Sequence, residues 1–184
     1  MIKTYNTQNE LLLKNLLEFY KMDNNMNKML SIINGESKIS LRIIDWFATN
    51  YAKKYYTVYL IGNDNRRFKV YIDYKLKLKA YSKKRFDPFC RWERITIPYD
   101  DNTYIQTTIG QLNFFKWAIE NHVIEYIEQN YNIIEKDMNS RNSTSKKRSV
   151  DSTKNKTRKK REELSVSASK SIKKESVEII VKFD

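Results

Sequence analysis

The chain has 184 residues, 40% of them apolar and 13% aromatic, which is enough for one cored domain with appendages. Its formal charge is +13, with a single cysteine, Cys90, a single histidine, His122, and three glycines. One cysteine excludes an internal disulfide and a cysteine-rich zinc site and fits a reducing compartment, and so few glycines exclude a Gly-rich phosphate loop.

The charge is concentrated. Residues 75–94 hold eight Lys or Arg against two acids, a net of +6, and residues 140–161 hold ten against one, a net of +9. The remainder of the chain is close to neutral. Of the 35 basic residues 25 are Lys, and the chain is rich in Asn, Ile and Tyr, as an A/T-rich genome would produce without selection for binding. That weakens inference from scattered lysines more than from clusters that include Arg.

In chain order, Thr7-Gln8-Asn9-Glu10 is a capping box ahead of the stripe Leu12, Leu13, Leu16, Leu17, Tyr20. Nothing in this N-terminus reads as a signal peptide. A second short helix follows over Met26, Met29, Leu30 and Ile33, ending at Asn34-Gly35. Residues 1–36 therefore read as a helical hairpin that docks on the main domain or on another chain. Residues 37–139 read as an α+β core domain. Ser40 caps a helix whose face is Leu41, Ile44, Phe47, Ala48 and Tyr51. Tyr55–Ile61 reads as a strand. It is also the longest apolar run, about seven residues, far short of a membrane span. Gly62–Asn65 is a turn carrying Arg66 and Arg67 at its tip, and Phe68, Val70 and Ile72 alternate on a partner strand.

The stretch Lys75–Arg94 comes next. Tyr74, Leu78 and Tyr81 favour a helix, and Leu76, Leu78 and Ala80 would also suit a strand; the helix is preferred. Asp87-Pro88 ends it, because the residue before proline is pushed out of the helical region. Ile95, Ile97 and Tyr99 predict a strand, with Pro98 marking an edge, and Tyr104–Thr108 pairs back on it. The longest helical signal then runs from Leu112 through Phe115, Ile119, Val123 and Tyr126, widened by Phe114, Trp117, Ala118 and Ile127, and predicts a central, buried helix that fades near Asn139. Residues 140–161 lack apolar periodicity and read as a disordered basic linker. In residues 162–184, Val177, Ile179, Val181 and Phe183 alternate as a C-terminal strand that must add to a sheet edge, its own or a partner's. The expected fold is α+β: a small antiparallel sheet with packed helices, flanked by these two appendages.

Candidate chemistry is sparse. His122 lies on the 115–119–122–126 stripe and Cys90 beside Phe89, and neither has a recognisable partner for acid–base or nucleophilic work. No catalytic residue, metal site or cofactor is expected, and the chain reads as a non-enzyme. The candidate binding residues are Lys75, Lys77, Lys79, Lys83, Lys84, Arg85, Arg91 and Arg94, interleaved with Tyr81, Phe86, Phe89 and Trp92. Cations spaced by π faces suit a phosphate backbone and its bases. They equally suit a half-buried segment whose aromatics turn inward while lysine heads reach solvent. In the tail, Lys146-Lys147-Arg148 and Arg158-Lys159-Lys160-Arg161 resemble a two-part nuclear-import signal or a nucleic-acid-binding arm.

Through Leu78–Lys84, Phe86–Arg91 and Thr107–Ile119 the chain resembles a family of small uncharacterised proteins of nucleocytoplasmic large DNA viruses, the mimivirus-like giant viruses in particular. The likeness spans residues 38–139 and returns at Arg161–Phe183, leaving the N-terminal hairpin outside. It implies a viral origin, and with it a place in the host cytoplasm, at the viral factory, or in the virion; the basic tail adds the nucleus. It brings no activity and no site residue. Two functions are expected from the whole reading. One is non-specific DNA or RNA binding in genome handling or packaging. The other is virion assembly, with viral protein partners docked through the N-terminal helices and C-terminal strand. No membrane partner is expected.

Overall fold

The computed structural model of the protein describes residues 7–91, 93–100, 103–150 and 173–176. Within them the order is α1 (Gln8–Lys21), α2 (Asn25–Ile33), α3 (Leu41–Trp46), a π turn (Phe47–Tyr51), α4 (Ala52–Lys54), β1 (Val58–Ile61), β2 (Arg66–Lys69), α5 (Val70–Phe86), β3 (Arg94–Asp100), β4 (Thr103–Thr108), α6 (Ile109–Glu120), α7 (Val123–Gln129), α8 (Tyr131–Val150) and β5 (Lys173–Ser176). The strands form two antiparallel sheets, β1-β2 and β3-β4-β5, so the protein is α+β, as its periodicities predict.

The N-terminus folds as its capping box dictates. Thr7 Oγ1 accepts from Glu10 N at 3.2 Å, and Glu10 Oε2 accepts from Thr7 N at 3.3 Å. The hairpin of α1 and α2 docks on the chain's own core: Leu16, Phe19, Tyr20, Met29, Leu30, Ile32 and Ile33 are buried, and Tyr20 OH donates to Leu112 O of α6 at 2.6 Å. The Leu/Met face that a partner could have taken is therefore used in cis. Ser40 Oγ accepts from Ile43 N, starting α3 as expected. The helix then widens into the π turn, where Thr49 Oγ1 donates back to Asp45 O at 2.7 Å.

Asp137 of α8 joins this helix to the C-terminal half. Its carboxylate takes Lys54 Nζ at 2.5 Å, Trp46 Nε1 at 3.3 Å and Tyr55 OH at 3.3 Å. Burial works against its charge, but these hydrogen bonds and the Lys54 ammonium outweigh it and hold the pKa below the ordinary carboxylate value.

Four expectations need correction. The second hairpin strand ends at Lys69 and does not continue through Val70 and Ile72. Val70 N closes the hairpin onto Thr57 O at 3.3 Å, and the chain then turns helical because Val70, Tyr74, Leu78 and Tyr81 share one face packed on the core. Arg66 and Arg67 accordingly lie in β2 and not at the turn tip. The long helix is three helices. His122 adopts φ +53, Asn121 Nδ2 donates to Trp117 O and Asn130 Nδ2 to Tyr126 O, and these asparagine side chains cap the breaks. The proposed disordered linker begins as helix, since α8 reaches Val150. Ile134 and Met138 anchor the start of α8 in the core, and a nucleated helix extends at little further cost. Residues 151–161 lie outside the described residues. A C-terminal strand, Lys173–Ser176, pairs in cis on β4, from Thr103↔Ser176 to Gln106↔Lys173; the alternating run 177–183 expected as a strand lies outside the described residues.

Candidate nucleic-acid interface

The basic stretch is laid over the start of α6. Lys75, Lys77 and Lys79 belong to the first part of α5, which buries Val70 and Tyr74 and ties Asp73 Oδ1 to Trp117 Nε1 of α6 at 2.7 Å. Ser82 interrupts the helix with φ 64 and ψ 168, a conformation that L side chains rarely adopt. Lys83, Lys84 and Arg85 follow, at the carbonyl end of the helix, where positive charge is favoured.

Several contacts hold this end in place. Asn113 Nδ2 donates to Arg85 O at 2.9 Å, and Arg85 Nη1 donates to Gln8 Oε1 of α1 at 3.2 Å. Gly110 packs so close that an added Cβ would stand 2.8 Å from Asp87 O and 3.1 Å from Lys84 O. Asp87 then turns the chain: its Oδ1 accepts from Phe89 N at 2.9 Å and its carbonyl from Cys90 N at 3.1 Å. The turn leads through Arg91 into Arg94 at the start of β3.

Lys75, Lys79, Lys83, Lys84, Arg91 and Arg94 are exposed, while Lys77 and Arg85 are half-buried. Arg94 Nη1 donates to Gln106 Oε1 at 3.1 Å, and Gln106 is the register partner of Lys173. The C-terminal segment thus places a further lysine position beside the end of the basic stretch, a juxtaposition with no signal in the sequence. Arg66, Arg67 and Lys69 on β2 add exposed cations that the stretch itself does not contain.

The aromatics turn inward. Phe86 is fully buried among Tyr74, Phe114 and Trp117, with ring centroids 5.7–5.9 Å apart. Tyr81 is half-buried and stacks on Phe86 at 6.2 Å and 18°, and Phe89 packs against the same core. The aromatic reading of this stretch is corrected for Phe86, which has no face to offer a base. Trp92 lies outside the described residues. Of the tail candidates, Lys146, Lys147 and Arg148 fall on α8, which packs against α3 and α7 rather than on the α5–α6 pair, and Arg158, Lys159, Lys160 and Arg161 lie outside the described residues.

His122 sits exposed at the break between α6 and α7, with Nδ1 3.9 Å from Glu125 Oε2. Cys90 is a half-buried free thiol. A marked perturbation of a carboxyl group falls elsewhere. The Asp45 carboxyl, on α3, is pushed up to about 7 by burial and then by the negative charge of Asp87. Among the described residues no group of three or more His, Cys, Asp or Glu could hold a metal ion, and no helix is long and apolar enough to cross a membrane.

Comparison with known proteins adds kinship. A family of unknown function, DUF7197, matches residues 2–184. The chain belongs to that family. It is also 49% identical over 117 residues to an uncharacterised protein, L507, of Acanthamoeba polyphaga mimivirus, a match covering 60% of this chain and 45% of that protein. The alignment thus spans less than half the length of this relative. The resemblance to an uncharacterised giant-virus family holds, and it now extends across the N-terminal hairpin as well. No solved structure matches.

Proposed function

We propose that this DUF7197 protein is a non-enzymatic nucleic-acid binder that grips phosphates without reading sequence, in viral genome handling or packaging. The carrying observation is the split within residues 75–94: six cations exposed, with the aromatics whose surroundings are described packed inward. Exposed Lys and Arg beside described aromatics that pack on the core favour backbone contact over base stacking. Such binding is strongly salt-dependent and accepts DNA or RNA. The basic tail, including Arg158, Lys159, Lys160 and Arg161, would extend the contact, and a viral factory, a virion or a nucleus would each supply the ligand. An assembly role through the N-terminal helices and C-terminal strand has less support, since both are engaged within the chain.

The test is fluorescence anisotropy of the full chain with labelled single-stranded and duplex oligonucleotides, from about 50 to 200 mM salt. Replacing Lys83, Lys84 and Arg91 by Glu should weaken binding and reduce the salt slope by about three on a logarithmic scale, near 0.9 for each phosphate no longer neutralised. Unchanged affinity and slope would remove the 75–94 stretch from the interface and leave only the tail.

A further inference from the structure

We propose that the outer faces of the β1–β2 hairpin and of α5 form a docking surface for an acidic amphipathic helix of a partner protein. Six of the nine exposed large apolar side chains among the described residues lie between Tyr55 and Leu76. Val58 and Leu60, 46% and 59% exposed, share one face of β1, where their register partners on β2 are Lys69 and Arg67. Ile72 and Leu76, 53% and 60% exposed, stand one turn apart on α5. At helical spacing Lys75 and Lys79 fall between that pair and the half-buried Tyr71 and Leu78, and all six border one shallow depression. The lysine stems complete an apolar floor and leave the ammonium groups at its rim. Hairpin and helix meet directly, since Lys69 leads into Val70 and Val70 N bonds Thr57 O, while Lys53 Nζ of α4 lies 5.7 Å over the Tyr71 ring of α5.

The charge of this surface selects the partner. Residues 53–79 contain eight Lys or Arg and two acids, and of the eight Lys54 is already paired with Asp137. Of the acids, Asp64 sits in the hairpin turn, and Asp73 is occupied by the Trp117 indole. A phosphate backbone has no use for two exposed apolar pairs. A lipid surface needs side chains that project, and these lie about half exposed beside a depression. A helix with apolar residues three or four apart can place them against Ile72 and Leu76 while carboxylates on its flanks meet Lys75 and Lys79. This surface is distinct in chemistry from the Lys83–Arg94 end, where the described aromatics are turned inward.

The experiment uses the full chain and a labelled synthetic peptide helix with leucines along one edge and glutamates on both flanks. A scrambled peptide of equal composition, phosphatidylserine-containing vesicles and duplex DNA are measured in parallel. The ordered peptide should bind at least about tenfold tighter than the scrambled one. Ile72→Ser with Leu76→Ser should weaken it at least about tenfold while leaving DNA binding unchanged. Lys75→Glu with Lys79→Glu should abolish it. Hydrogen exchange should show the peptide protecting amides of β1 and α5, a readout that needs no variant. Equal binding of the scrambled peptide, absence of peptide binding, protection elsewhere, or vesicle binding that alone depends on Ile72 and Leu76 would each overturn the proposal. Loss of DNA binding in the Lys83, Lys84, Arg91 variant addresses the nucleic-acid reading separately.

Discussion

Helices α5 and α6 pack against each other, yet ten of the twelve residues of α6 are buried and only three of the seventeen of α5. The difference comes from what surrounds each. α6 is covered by α1 and α5, with β4 leading into it, so even its polar positions must be satisfied internally. Gln111 Oε1 accepts from Thr107 Oγ1 at 3.0 Å, and Asn113 holds the end of α5 through the Arg85 carbonyl. α5 buries one stripe and leaves its remaining surface to Lys, Ile and Leu. One helix organises the core, and its neighbour carries the surface chemistry, held in place by the first.

The sharpest way to break this comparison is truncation in each helix. Phe114→Ala removes a fully buried ring in contact with Tyr74, Phe86 and Trp117 and should cost about 3–5 kcal/mol in urea unfolding. Leu76→Ala on the outer face of α5 should cost under about 0.5 kcal/mol. Similar losses at both positions would mean that the outer face of α5 is as buried as α6.

The next effect concerns pH. Asp45, raised to about 7, holds its proton more tightly in the folded chain than in the unfolded one. Its contribution is therefore fully present below the unfolded value near 4 and is lost as pH rises through about 7. Between pH 5 and 8 the protein should lose about 2–3 kcal/mol from this group, while Asp45→Asn should show a flatter profile. Asp137 works in the opposite sense, since its lowered pKa contributes stability that disappears as pH falls toward and below the ordinary carboxylate value. Parallel denaturation profiles for the wild-type and Asp45→Asn proteins would rule out the raised pKa.

A smaller effect tests how α6 seats the basic stretch. Gly110→Ala forces a methyl group against the carbonyls of Asp87 and Lys84 and should destabilise by about 1–3 kcal/mol. It should also disturb oligonucleotide binding, because those carbonyls belong to the segment that presents Lys83, Lys84 and Arg91. The smallest effect is a gain. Ser82→Gly relieves the backbone at φ 64, ψ 168 and should stabilise by up to about 1 kcal/mol, offset in part by the entropy of the freer unfolded chain. A loss of stability there would show that the serine side chain matters more than its backbone angles.

Much of this fold was legible because the signals are local. The Thr7–Glu10 box, the Ser40 cap, the Asn34-Gly35 stop and the Asp87-Pro88 break each depend on neighbours within four residues. The errors came where a local pattern is ambiguous. Val70 and Ile72 fit a strand as an extension of Phe68 and fit a helix with Tyr74, and packing on α6 decided for the helix. His122 fitted a continuous stripe, yet Asn121 ends α6 before it. The basic stretch was recognised by composition, but composition alone left open which way its aromatics faced.

By itself the sequence determined most of the element types, the buried centre at Leu112–Ile119, the concentration of positive charge and the viral kinship. These rest on short-range periodicity, capping chemistry and residue identity. Only the tertiary structure decided that the N-terminal hairpin completes the chain's own core and that a C-terminal strand pairs on β4. It also decided that Phe86 turns inward while Lys83, Lys84 and Arg91 stay exposed, and that Ile72 and Leu76 remain uncovered. Each of these depends on which distant surfaces meet, and a stripe of apolar residues carries no record of what will cover it.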